Sequence, residues 1–376
     1  MKRSIAIFAV CVLMLLLHSC TKENTSPTKS YERVNLSVMV KLRVGAFLYE
    51  NIEAPIRVKG FDANNNIMWS DSISFAGPKE NLLSILSGFD HYTISLEKWG
   101  VTDSQTITGK QLQNDRADGP TPVTYVLAGK APYIRKPVII YEYTEDQTTS
   151  LKTQSRIEYK YNSEGKIERM TVYENYSTDS SAQVPTRYTV FSYDGSTAAI
   201  SKLTEYYAPV NFKSKEDSYE YGVEGSLIKI TEANYAANLT ATMALSFNAT
   251  NGNAKAAYQF SNGIGFDYDF VDSLKNIVSD QTIKESSLCN KGIYAYDRNI
   301  NPFKHLGYVS FELNNYSANN RVTEKVDYMA CGFPVLNPES YEYQYDDLGY
   351  PTKMVTHYKG TTAVTATKYY YQSFPQ

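Results

Sequence analysis

Cysteine, histidine and tryptophan are scarce in this 376-residue chain, with four, four and two copies. Neither a His-Glu-x-x-His nor a Cys-x-x-Cys pattern occurs. His91, His305 and His357 stand far apart without a His or Cys neighbour, so no sequence-local zinc site is expected. There is no Gly-x-Ser-x-Gly elbow and no phosphate-binding loop, and Gly263-Ile264-Gly265 lacks the helix a dinucleotide site needs. The formal net charge of −3 comes without a basic run, so the electrostatic footprint of a nucleic-acid partner is missing. No apolar run beyond residue 17 approaches the length of a bilayer-spanning helix. These absences lead to an expectation of no catalytic residue, no cofactor and no metal. The 40 acidic residues offer many carboxylate pairs, but the sequence singles out none as a hydrolytic pair.

What is present begins at the amino terminus. Lys2 and Arg3 precede an uninterrupted apolar stretch from Ile5 to Leu17, the length of a secretory core and too short to span a bilayer. Leu17-His18-Ser19-Cys20 then resembles the lipobox of bacterial lipoproteins. That resemblance implies a signal peptide over residues 1–19 and a diacylglyceryl thioether on Cys20, with acylation of the new amino group. Two or more acyl chains suffice for stable anchoring. Polar residues 20–30 read as the lipidated cysteine and a flexible tether. Thr21 after the cysteine favours the outer membrane, and Lys22-Glu23 resembles the export signal of Bacteroidetes-type surface lipoproteins. The expected location is therefore the cell envelope, on the outer membrane. Loss of Lys2 and Arg3 with the signal takes the formal charge from −3 to −5.

Cys11 falls in the signal and Cys20 carries the lipid, which leaves Cys289 and Cys331 in the folded part. An envelope outside the inner membrane is oxidising, so these two are candidates for one disulfide. The alternative is two unrelated cysteines acting as small apolar core residues.

From Tyr31 to Lys130, short alternating segments recur about every ten residues, such as Val34–Val40, Pro55–Phe61 and Tyr92–Trp99. Period-2 alternation at this spacing predicts an Ig-like β-sandwich over residues 31–130. Asp62-Ala63-Asn64-Asn65-Asn66 begins like a calcium loop, but Ile67 stands where the turn glycine belongs, so a hairpin turn is the reading.

Composition shifts across residues 131–376. Only Tyr31, Tyr49, Tyr92 and Tyr125 of the 33 tyrosines precede Tyr133. Tyr159-Lys160-Tyr161 runs into a turn at Gly165, Tyr219-Glu220-Tyr221 into one at Gly225, and Tyr343-Gln344-Tyr345 into one at Gly349. Each unit puts two rings on one strand face, turns on Asn or Asp with Gly, and returns as an alternating strand. These units resemble YD-type repeats. Tyr296-Asp297-Arg298-Asn299-Ile300-Asn301-Pro302-Phe303, together with Tyr345-Asp346-Asp347-Leu348-Gly349-Tyr350-Pro351, resembles a signature of Bacteroidetes-type lipoproteins without assigned activity. The resemblance implies a β-meander domain and an envelope location, and it brings no catalytic residues. The expected fold is therefore all-β, an Ig-like sandwich followed by a large curled antiparallel β-meander of YD-like hairpins.

Rows of tyrosine suit stacking on sugar rings or packing at a protein interface, though they equally suit the core of a sheet. Trp69, Tyr143, Tyr343 and Tyr345 are the candidate ligand contacts. The leading functional expectation is a non-catalytic, lipid-anchored binding module for a glycan or protein ligand. The alternatives are an accessory subunit of an outer-membrane complex and an envelope glycoside hydrolase.

Overall fold

The structure is a computed structural model. It describes residues 30–50, 52, 54–73, 82–98, 101–145, 152–174, 184–195, 199–223, 225–248, 253–273, 276–311, 313, 315–328, 338–359 and 364–375. The expected signal peptide, Cys20, the tether and Cys331 lie outside the described residues.

Residues up to Lys130 form two four-stranded sheets. In the first, the long strand β1 (Arg33–Val44) buries Val34, Leu36, Val38, Val40, Leu42 and Val44 on one face, as its alternation dictates. One edge of β1 is shared by β5 (Leu82–Leu86) and β2 (Phe47–Glu50); the other edge pairs in parallel with β8 (Thr124–Lys130). In the second sheet the order is β4 (Ile67–Ile73), β3 (Ile56–Phe61), β6 (His91–Lys98), β7 (Val101–Thr108). The Asp62–Asn66 segment is the β3–β4 turn: the Asp62 carboxylate accepts from the Asn64 and Asn66 amides at 2.9 and 2.8 Å. A short helix α1 (Gly109–Asp115) follows, with Thr108 and Gln111 forming its capping box and Leu112 buried beneath it.

Tyr133 opens the first of sixteen antiparallel strands, β9 (Tyr133–Glu145) to β24 (Val364–Pro375), that close into a barrel. The seam is continuous, running from Val364 opposite Glu145 to Pro375 opposite Tyr133. This overturns the expected fold of an Ig-like sandwich followed by a curled meander of YD-like hairpins. The parallel β1–β8 pairing departs from the antiparallel sheets of an Ig domain. The accumulated twist of so many hairpins, moreover, is satisfied by joining the two outer edges rather than leaving them curled and bare.

Tyrosines at the hairpin bulges explain much of the composition. Tyr161, Tyr193, Tyr221, Tyr296 and Tyr371 each sit where the strand register shifts. Each donates its hydroxyl to a backbone carbonyl of the preceding strand: Pro137, Ile167, Ile200, Ile277 and Pro351, at 2.6 to 2.9 Å. Each of these carbonyls lies beyond the last paired residue of the ladder between the two strands, and the phenol supplies it with a partner. The turns beyond them are built as the sequence indicates. Asp346 accepts from the Leu348 and Tyr350 amides at 2.8 and 3.0 Å, and Gly349 takes φ +81°.

The lumenal face of the wall is largely apolar with a few charged clusters, and the outer face mixes charged residues with exposed apolar ones such as Ile228 and Ile293. Lumenward positions hold Ile140, Tyr159, Phe191, Tyr219, Ile230, Met243 and Tyr258 in one core. Outward positions carry charge paired between neighbouring strands, such as Lys229–Glu220 at 2.7 Å and Lys255–Asp267 at 2.6 Å. A sixteen-stranded barrel is wide enough for an aqueous channel. Here the segment between β20 (Ser287–Ile300) and β21 (Asn319–Tyr328) enters the lumen instead. Wall hydroxyls hold it, with Tyr219 donating to the Val309 carbonyl and Tyr258 to that of Phe311, both at 2.9 Å.

The two halves share one core. Ile300, Ala318, Leu348 and Tyr350 of the barrel belong to the same buried cluster as the core of the two amino-terminal sheets. Only Ala131 and Pro132 separate β8 from β9, and Ala131 is buried with its amide on the Arg43 carbonyl at 2.9 Å. Tyr49 also reaches into the barrel plug, its hydroxyl 3.0 Å from Nε2 of the buried His305.

Candidate functional site

Inward alternation on β18 (Gly265–Ser273), β20, β21, β22 (Pro338–Tyr345) and β24 gathers Tyr268, Tyr294, Arg321, Tyr341, Tyr343 and Tyr369 around one lumenal cavity. Its volume is about 360 Å³, and Phe303 and Ser317 of the plug segment close one side. Ligand cavities of this kind are mostly apolar with a few convergent polar groups.

Arg321 is the only charged residue that lines it among the described residues. Its guanidinium lies 4.0 Å from the Tyr294 ring centroid and donates to Glu324 at 2.9 Å. Burial opposes the charge on Arg321, but Tyr296, Glu324 and Tyr294 hold its pKa above the ordinary value. Glu324 also accepts from the Tyr341 hydroxyl at 3.1 Å. Asp280 accepts from Tyr268 and, at 2.7 Å, from Tyr294. Asp297 accepts from Tyr345 and from the amides of Asn299 and Asn320 at 3.0 and 3.1 Å. Burial pushes the Asp297 carboxyl up to about 6, while its hydrogen bonds pull the other way. The tyrosine pKa values of Tyr268, Tyr294, Tyr341 and Tyr343 are raised, burial being the first cause at each and a neighbouring carboxylate adding to it.

The four candidate contacts separate. Trp69 sits on β4 opposite Gly60, its ring stacked 6.2 Å from Phe89 at 7° and packed against the first core. A Cβ on Gly60 would meet the Phe89 ring at 2.4 Å, so glycine there is what admits the stack. Tyr143 faces outward from the barrel, stacked 6.3 Å from Tyr141 with the Lys368 ammonium 5.4 Å over its ring. Tyr343 and Tyr345 face inward as a stacked pair 5.7 Å apart. Tyr343 lines the cavity, and its hydroxyl has no hydrogen-bond partner among the described residues. Tyr345 turns to Asp297 instead.

Sequence reasoning passed over Arg321, Glu324 and Asp280. The signal that was open to it is a charged residue on the strand face that alternation gives to the rings. A second, smaller cavity of about 120 Å³ lies across the plug, where Lys215 pairs with Asp217 at 3.9 Å and with Glu232. Cys289 is buried on β20 and disulfide-bonded, while its expected partner Cys331 lies outside the described residues. No group of three or more His, Cys, Asp or Glu side chains able to hold a metal occurs among the described residues.

No family model matches the chain. No curated protein matches it either. Solved structures similar to it include a porin-like protein from Bacteroides uniformis, 12% identical, covering 63% of this chain and 98% of that one at a TM-score of 0.41. A porin-like protein from Bacteroides vulgatus is 10% identical, with 63% and 99% coverage and a TM-score of 0.31. A TcdB2-TccC3-Cdc42 complex is 11% identical, with 76% of this chain and 16% of that chain covered at a TM-score of 0.28.

Proposed function

We propose that this chain is a lipid-tethered protein of the bacterial cell envelope whose barrel is a non-catalytic binding module for a small, glycan-type ligand. The observation that carries the reading is the tyrosine-walled cavity around Arg321 and Tyr343, enclosed by barrel and plug. Flat aromatic faces beside hydroxyl, amide and guanidinium groups suit a sugar ring, and a cavity of about 360 Å³ excludes a folded protein partner.

Attachment to the outer membrane falls, in this reading, to acyl chains on Cys20 rather than to the barrel. A membrane barrel turns an apolar band about 25 Å tall towards lipid. The outward Lys–Glu and Lys–Asp pairs of this wall are built for water. The sequence resemblance at Leu17–Cys20 supplies the anchor, and mass spectrometry of the mature amino terminus checks it: an unacylated Cys20 removes the tether.

Glycan-array screening followed by calorimetry on the chain from Thr21 onwards tests the binding role. The expected result is micromolar to millimolar binding of a mono- or oligosaccharide, lost in Tyr343→Ala, with no hydrolysis products. Turnover of the bound sugar would make the chain an enzyme, and no carbohydrate binding at all would sink the module reading. Outward rings such as Tyr370, half exposed beside Tyr141, favour a second role as a docking subunit. Recovery of one stoichiometric envelope protein with the intact chain, lost in Tyr370→Ala, is its expected signature.

A further inference from the structure

We propose that the lumenal cavity selects a positively charged guest, an amino sugar in preference to its neutral or acidic counterparts. The inference rests on the reading of this cavity as the ligand site. Three carboxylates, Asp280, Asp297 and Glu324, stand one hydrogen bond behind the lining residues Tyr294, Asn320 and Tyr341, against the single guanidinium of Arg321, which lines the cavity itself. Arg321 and Glu324 neutralise one another at 2.9 Å. Asp280 and Asp297 form no ion pair among the described residues; they accept from phenols, which leaves the net charge negative.

The rings transmit that charge to the cavity. Tyr268 and Tyr294 donate to Asp280, Tyr341 to Glu324, and Tyr345, stacked on Tyr343, to Asp297. A phenol that donates to a carboxylate gains electron density, which strengthens the negative face of its ring for a cation. Within a low-dielectric lumen such polarisation is larger than in water. The wall's own guanidinium has a ring for a partner: Arg321 lies over Tyr294, 4.0 Å from the ring centroid. The same field holds its proton more firmly than in water despite burial. Tyr343 adds a lining ring whose hydroxyl has no partner among the described residues, placed to meet the ring oxygen or a hydroxyl of a sugar while its neighbours meet the ammonium.

Calorimetric titration of the chain from Thr21 onwards at pH 7 and low salt, with glucosamine, glucose and glucuronate in turn, isolates charge on a common ring. Glucosamine is expected to bind roughly tenfold more tightly than glucose, with glucuronate weakest. Raising salt should narrow that gap. Equal or tighter binding of glucose or glucuronate overturns the charge preference and leaves the cavity as a sugar site. Binding by none of the three overturns the ligand site itself, and the preference with it. Tyr343→Leu, which keeps an apolar side chain of similar reach, should weaken glucosamine about tenfold. Unchanged affinity in a Tyr343→Leu protein of wild-type melting temperature overturns the placement of the guest.

Discussion

Tyr161, Tyr193, Tyr221, Tyr296 and Tyr371 show what a repeated tyrosine does at the level of one side chain. Each phenol completes a backbone carbonyl of the preceding strand that lies past the end of the ladder between the two strands. Tyr161→Phe keeps the ring and removes the hydrogen bond, so it should cost about 1 to 2 kcal/mol, the worth of one bond plus part of the desolvated carbonyl. Urea titration checks this through a lower midpoint at an unchanged slope. The Tyr-x-Tyr units were legible as hairpins because Gly165, Gly225 and Gly349 mark the positive-φ turn, and they adopt φ between +73° and +81°. Which face a ring takes was not legible. Tyr143 looks outward and Tyr343 inward from the same motif. Alternation defines two faces of a strand without saying which one is the lumen. Arg321 stayed hidden for the same reason.

At the scale of elements, the junction of the first sheet with the plug gives a pH signature. His305 lies between Phe47, Tyr49 and Tyr350, and burial first, then the charges of Lys136 and Lys304, lower its pKa to about 3. Because the unfolded imidazole takes its proton near 6.5 and the folded one does not, stability is lost as pH falls below about 6.5. The loss approaches 1.4 kcal/mol per unit. Asp297 works the other way. Its folded carboxyl titrates near 6 against an unfolded value near 3.9, so its contribution is full below about 4 and is lost as pH rises through 6. The two slopes oppose each other between pH 4 and 6.5, and the wild-type profile there should be nearly flat. His305→Gln should unmask the carboxyl. Relative to wild type it should gain about 2 kcal/mol on going from pH 7 to pH 5, read by denaturant midpoints at both pH values.

For the whole molecule, closure was the part that sequence could not carry. The pairing of Val364–Pro375 with Tyr133–Glu145 joins strands whose patterns fit any antiparallel neighbour equally well. Insertion of the plug depends on that enclosure, because Phe311 and Leu313 have a core to enter only inside a closed wall. Cys289 adds a covalent tie. If Cys331 is its partner, reduction should lower stability by about 4 kcal/mol. Non-reducing peptide mapping should then find the two in one fragment.

The seam also sets the order of events when the chain is made. More than two hundred residues separate β9 from its last partner, so its outer edge stays bare until β24 has been synthesised. Contacts so distant in sequence form slowly, and a bare edge waiting for them recruits other chains. A chain cut short before Val364 should therefore aggregate rather than fold as a smaller working barrel, which the soluble fraction of the truncated protein checks.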